Sequence, residues 1–501
     1  MMILQSLIER VHEITTSTLM VALLATFVAP AAGAQQQIPL PVDAALTTPR
    51  LELDLTNARV RVLIRPEQPP RFSARLEDPT IQKEVSLDLN FIPGSLTGVR
   101  RPESADRPTI VVDISMTDDQ FFTVVGSNLD IEIVGPADGV QPDDAAPAEE
   151  EGKTAAGAQP EQTTGAAITA VLTDSRLATE NIGGFSLTAT RGSNEITTHI
   201  GSLALDLRDS AARIHGHRGP VTLQSLDSDS LFRDIEGTIS ADVDGGVWEV
   251  SESRGAVSGE LDTSDVILEM VSGQIKLNGR NSSIRINRTL DSRTQISGDD
   301  LQIDLSDLGG PLLTVLTRGS LEAESLVGRV DLRFNSAVTA GLRDIRGDLA
   351  AVVSDQSQVT IRGVRDHTRI KLNDSELELN DLKSLDLDAR ESMVSGSGIR
   401  ALTKLVVTDT TLELSLGDVM GKPKINLHGT SQATIQLPTP CQVVATLANA
   451  SLSDQIRVSG CHLNLDGLNK RGLRPGPDGR QPVVLTATLD DSANLRVDGR
   501  P

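Results

Sequence analysis

Four carboxylates, Asp242, Asp244, Glu260 and Asp262, occupy matching positions eighteen residues apart in this sequence. Carboxylates held a few ångströms apart can act as general acid and general base, and their oxygens can also ligate Ca²⁺. The competing reading is a solvated acidic face, because outward strand positions are commonly polar. His199 and His217 share the spacing of eighteen, and His215 lies two residues from the latter. A metal site needs such convergence, but no cysteine or acidic ligand stands at a recognisable distance, so exposed corner histidines are expected. Trp248, the only tryptophan, falls on an apolar run and reads as core or wall packing rather than ligand stacking. No Gly-x-Ser-x-Gly elbow, phosphate loop, dinucleotide fingerprint or calcium-binding nonapeptide is present. No catalytic residue, cofactor site or metal site is assigned from the sequence.

The spacing of these groups belongs to a larger period. Glycine recurs every eighteen residues at Gly183, Gly201, Gly219, Gly237, Gly255 and Gly273. Two positions after each comes an apolar residue, Phe185, Leu203, Val221, Ile239, Val257 or Ile275. Thirteen after comes another, Ile196, Ile214, Phe232, Val250, Leu268 or Ile286. Nine after is always small: Gly192, Ser210, Ser228, Gly246, Ser264 and Ser282. Two apolar runs joined by a small-residue turn, with a polar corner closing the unit, predict an all-β parallel β-solenoid of about eighteen residues per coil, of open handedness. No coil of this size buries its apolar face alone, so each depends on its neighbours. The register slips near Asp291 and resumes at Gly310, Gly328 and Gly347. Residues 165–465 would make roughly sixteen coils, a rod of ~75 to 80 Å at ~4.8 Å per coil.

Other segments frame this body. Residues 1–34 read as an export signal, with Arg10, an apolar run from Leu19 to Val28 and cleavage after Ala32-Gly33-Ala34. No membrane span is expected once it is removed. Residues 35–135 form an N-terminal β region with alternating runs at Leu51 to Leu55 and Ala58 to Ile64, either a separate body or the first coils. Residues 136–164, rich in Ala, Pro and Glu and including Glu149-Glu150-Glu151, read as a flexible acidic linker or loop. Cys441 and Cys461 are twenty residues apart, about one coil, and in an exported protein predict a disulfide between neighbouring coils. A reactive thiol pair is the rival, without a Cys-x-x-Cys spacing to support it. The tail 466–501, with strand-like Val483 to Leu489, is expected to cap the open end.

A net charge of −23 disfavours nucleic acid and anionic lipid as partners and leaves glycans, cations and proteins. Aromatic residues make up 2% of the chain and tyrosine is absent, which argues against a sugar-stacking groove. The run Thr263-Ser264-Asp265-Val266-Ile267-Leu268-Glu269-Met270-Val271-Ser272-Gly273-Gln274-Ile275-Lys276-Leu277 resembles the adhesin-type β-strand repeat families of exported bacterial proteins, head GIN-type domains among them. Leu51 to Ile64 is similar to their opening strands, although serine often stands here where those families place the turn glycine. The resemblance implies an exported, adhesin-like binding or scaffold module and supplies no catalytic residue. Arg369-Ile370-Lys371 is similar to one element of pectin-hydrolysing solenoids, whose other acidic and histidine motifs are missing. The expected function is therefore a non-enzymatic envelope or surface module that contacts a glycan or protein. The alternatives are a polysaccharide lyase or hydrolase and a subunit of an envelope assembly.

Overall fold

The computed structural model describes residues 42–45, 50–56, 59–65, 71–76, 87–92, 95–100, 109–115, 121–127, 129–134, 167–180, 182–417, 423–447, 455–465, 483–490 and 492–500. The expected export signal and acidic linker lie outside them, as does the first part of the tail. The described residues are all-β with no helix, and parallel strands stack in about 16 coils roughly eighteen residues apart.

One coil illustrates the construction. Leu203–Arg208 forms the first side, with Leu203, Leu205 and Leu207 buried in alternation. The chain turns at Asp209-Ser210 and runs back as Ala211–Arg218, burying Ala212, Ile214 and His217. Parallel pairing then carries every position onto its equivalent in the next coil: Leu203 onto Val221 and onward to Ile239, and Ile214 onto Phe232. This register turns the sequence period into columns of like residues.

The coil has three corners rather than two. In the coil that begins at Gly219, the backbone turns left-handed at Asp227 (φ 48°), Asp234 (φ 53°) and Gly237 (φ 154°). The corner expected to be polar is thus a short third side, whose one inward residue falls sixteen after each repeat glycine. His199, His217, Ile235, Ser253, Val271 and Thr289 form that buried column.

The glycine corner has a steric origin. A Cβ on Gly219 would lie 2.0 Å from the carbonyl oxygen of Gly201, and one on Gly237 would lie 2.0 Å from that of Gly219. No side chain fits such an approach, and the backbone angle there also excludes one. The slip near Asp291 is an extra residue: Ile275 pairs with Thr294 and Ile284 with Ile303, nineteen apart, and both sheets continue.

Both ends of the stack depart from chain order. Arg50–Thr56 lies between Ser95–Arg100 and Phe121–Ser127, and Arg59–Arg65 lies between Thr109–Ser115 and Asp130–Val134. Antiparallel strands border that end: Val42–Ala45 and Thr109–Ser115 both pair with Arg71–Leu76, and Leu87–Ile92 pairs with Ser95–Arg100. Phe121–Ser127 and Asp130–Val134 pair in turn with Ala167–Thr173 and Arg176–Glu180, so the stack is continuous across residues 135–166.

At the other end the expected cap is instead an inner coil. Val483–Leu489 sits between Lys424–His428 and Cys441–Leu447, and Asn494–Arg500 between Gln432–Pro438 and Ile456–Ser459. Between two neighbours both edges of each strand are paired, and Leu485, Ala487, Leu495 and Val497 are buried. The outermost coil carries the Cys441–Cys461 disulfide, with Cα atoms 4.8 Å apart, and ends in the four-residue strands Ile456–Ser459 and His462–Leu465.

Trp248 is the largest fully buried side chain and spans the core between the two long sides. Gly259, on the opposing strand, makes room for it: a Cβ there would lie 2.8 Å from the indole Cζ3. Truncation would leave a cavity that the glycine cannot fill. Trp248→Ala is expected to destabilise the coils around it by ~3 to 5 kcal/mol, read as a lowered urea midpoint, whereas Gly259→Val should destabilise by overpacking, by ~1 to 3 kcal/mol. An unchanged midpoint for Trp248→Ala would contradict the packing described.

Candidate functional site

The four carboxylates do come together. Asp242 pairs in register with Glu260 and Asp244 with Asp262, on the outward face of the first long side. Asn278 and Arg280 continue the two columns on the next coil. Glu260 Oε2 accepts a 2.6 Å hydrogen bond from Asn278 Nδ2, and Asp262 forms an ion pair with Arg280. That hydrogen-bonded guanidinium holds the Asp262 carboxyl below the usual carboxylate range, so it stays ionised. A general acid needs the opposite shift. The cluster is a solvated, partly neutralised charge column.

Arg369-Ile370-Lys371 is likewise explained by strand alternation, with Ile370 buried, Lys371 outward and Arg369 facing Asp386 at 3.4 Å.

The histidines correct an expectation. His199 and His217 are not exposed corner residues; both are fully buried in the third-side column, with Nδ1 atoms 3.1 Å apart. His215 is exposed on the outer surface, because the left-handed turn at Gly216 (φ 68°) separates it from His217. The three imidazoles therefore do not converge. Among the described residues, no three His, Cys, Asp or Glu side chains form a metal-binding group. Burial lowers His199 to about 3, helped by the charge of His217, and lowers His217 to about 4.

At Ser210, Ser228 and Ser282 the small residue nine after the repeat glycine proves to be a connector. Ser210 Oγ accepts from the Gly192 N–H at 3.1 Å and donates to the Arg208 carbonyl at 2.7 Å. Ser228 does the same for the Ser210 N–H, at 3.0 Å. An unbroken run follows further along: Ser357, Ser375, Ser392 and Thr410 each donate their N–H to the hydroxyl one coil on, the last to Ser431. The hydroxyl supplies an acceptor for a corner amide that the turned backbone leaves without a carbonyl partner. Where Gly246 replaces serine, Gly245 and Gly246 are both left-handed, and a Cβ on Gly246 would lie 2.2 Å from the Ser228 carbonyl oxygen.

Two shallow recesses follow this same corner. One, of about 590 Å³, is lined by Ser264, Asp265, Ser282, Gln302 and Ser320 among others; the second, of about 520 Å³, by Asp374, Ser375, Glu391, Ser392 and Asp409 among others. The sequence marked the serines as small turn residues. It carried no sign that they border a recess, because the wall is assembled from successive coils.

No family model matches the sequence, and neither does any curated protein.

Removing one hydroxyl from the unbroken run tests the connector. Ser375→Ala leaves the buried Ser357 N–H without an acceptor and should cost ~1 to 3 kcal/mol, with faster amide exchange at Ser357. Ser375→Thr keeps the oxygen and should retain most of that protection. Equal exchange in both variants would show that the hydroxyl is not the connector.

Proposed function

We propose that the protein is an exported, non-catalytic β-solenoid of the cell envelope or cell surface, adhesin-like in use, which holds an elongated glycan or protein partner along its side. The observation that carries this reading is the pair of open recesses along the serine corner, walled by hydroxyl, amide and carboxylate groups that repeat from coil to coil. A contact made at one coil can be repeated at the next, ~4.8 Å on, which suits a chain-like ligand better than a compact metabolite. The ionised, arginine-paired state of Asp262 and the outward exposure of Asp242, Asp244 and Glu260 support a non-catalytic use of that surface. Export is supported by the leader-like N-terminal sequence and agrees with the disulfide.

The test is retention of residues 35–501 on immobilised envelope and extracellular polysaccharides, with product release followed in the same wells. Retention without product is expected, and should weaken when Gln302→Arg and Ser320→Arg crowd the first recess. Product release would overturn the non-catalytic reading. Absence of both would remove the glycan arm and direct the search to protein partners.

A further inference from the structure

Among the described residues the fully buried polar side chains are serine, threonine and asparagine, with two exceptions: His199 and His217 are the only titratable side chains in the core. They stack on adjacent coils, with Ile182 before them and Ile235 after them in the third-side column and the Phe185 ring 6.1 Å from His199. The contact between the two Nδ1 atoms requires one proton, so one ring donates and the other accepts. The accepting ring then carries its own proton on Nε2, and neither Nε2 has a hydrogen-bond partner.

The consequences of adding protons follow from this arrangement. A proton taken from solvent by the lone pair at Nε2 of the donating ring creates an imidazolium in a buried core, where burial outweighs the partial support that the Gly219 and Pro220 backbone gives to His217. A second proton, on Nδ1 of the accepting ring, sets two N–H groups against each other and destroys the hydrogen bond. No counter-charge is at hand: on the surrounding strands Glu180, Glu195, Arg208, Arg213, His215, Arg218 and Arg233 are exposed, and Asp206 also faces outward. Half-buried Glu236 is already engaged by Arg218 and Arg254, at 3.2 and 2.6 Å. The same lack of charge compensation argues against a metal cation between the rings.

We propose that the stacked His199–His217 pair is an acid-labile rung, at which proton uptake opens the solenoid between adjacent coils and uncovers two parallel sheet edges while the rest of the stack stays folded. Nearest-neighbour stability permits such a local break, since each coil is held only by the coils beside it.

The sign follows from proton linkage. Both rings bind protons less readily in the closed stack than in an open one, where about 6.5 applies, so closure is favoured above pH 6.5. It weakens as pH falls toward about 4 and then about 3, where the closed-state rings titrate. While both rings are neutral when closed and charged when open, the opening ratio rises about 100-fold per pH unit, ten-fold for each histidine.

The experiment is amide exchange on the full chain from pH 7 to pH 4.5, corrected for intrinsic rates, comparing residues 197–219 with 340–399, where the third-side column is Ile345, Val364, Leu382 and Ile399. The histidine segment should lose protection steeply below pH 6.5 and regain it on neutralisation, while the segment 340–399, whose one histidine, His367, lies outside the third-side column, holds. The double variant His199→Leu, His217→Leu should abolish the difference. Parallel loss in the two segments, or no loss at pH 4.5, would overturn the proposal. Because both segments belong to one molecule, the wild-type comparison decides the matter even if the variant does not fold.

Discussion

Every coil of this protein must hand the hydrogen-bonding groups of its circumference to the coils on either side, in register and without a gap. On the long sides the parallel ladder does so automatically. At the corners the backbone turns left-handed, the ladder breaks, and a separate device is needed. The glycine corner lets one coil's Cα rest almost on the carbonyl of the coil before, as Gly219 does on Gly201. The opposite corner uses a hydroxyl that donates to a carbonyl of its own turn and accepts from the preceding coil's amide, as Ser228 and Ser375 do. Both devices tolerate little change, which explains why small residues recur there with the period of the fold.

Once the register is set, the chemistry separates into columns. Inward columns are mainly apolar, with uncharged Ser, Thr and Asn among them, and are filled by size matching, as Trp248 is by Gly259. Outward columns are mixed in charge and bridged between coils: Glu236 is held between Arg218 and Arg254, Asp299 pairs with Arg318, and Asp262 with Arg280. These exposed pairs contribute little to stability individually. Their effect is to reduce repulsion along stacked carboxylates in a chain of net charge −23. The two buried histidines are the exception to this separation, and a proton-dependent response is the natural consequence of placing ionisable groups where no charge can be answered.

A stack of parallel strands has two open ends, and here each end encloses a segment lying close in sequence to a chain terminus. Arg59–Arg65 and Val483–Leu489 each have neighbours on both edges. The exposed edges are left to antiparallel strands at one end and to a short, disulfide-linked coil at the other. Short or covered edges limit sheet-to-sheet association, which an uninterrupted solenoid of this length would otherwise invite.

The period of eighteen, the two apolar offsets, the glycine corner, the small turn residue and the Cys441–Cys461 pairing were legible in the sequence, because each repeats one chemical requirement at one spacing. The outward grouping of Asp242, Asp244, Glu260 and Asp262 followed from the same period. The third corner was not legible. Its left-handed residue is Gly216, Asp234, Glu252, Met270 or Arg288 in successive coils, with no shared chemistry, and its side carries a single inward residue, too few to show a pattern. His199 and His217 were consequently expected outside the core that encloses them. The insertion of residues 483–500 between earlier coils was also hidden, because stacking order depends on which strand edges meet in space, whereas local sequence specifies only that a strand forms and which of its faces is apolar.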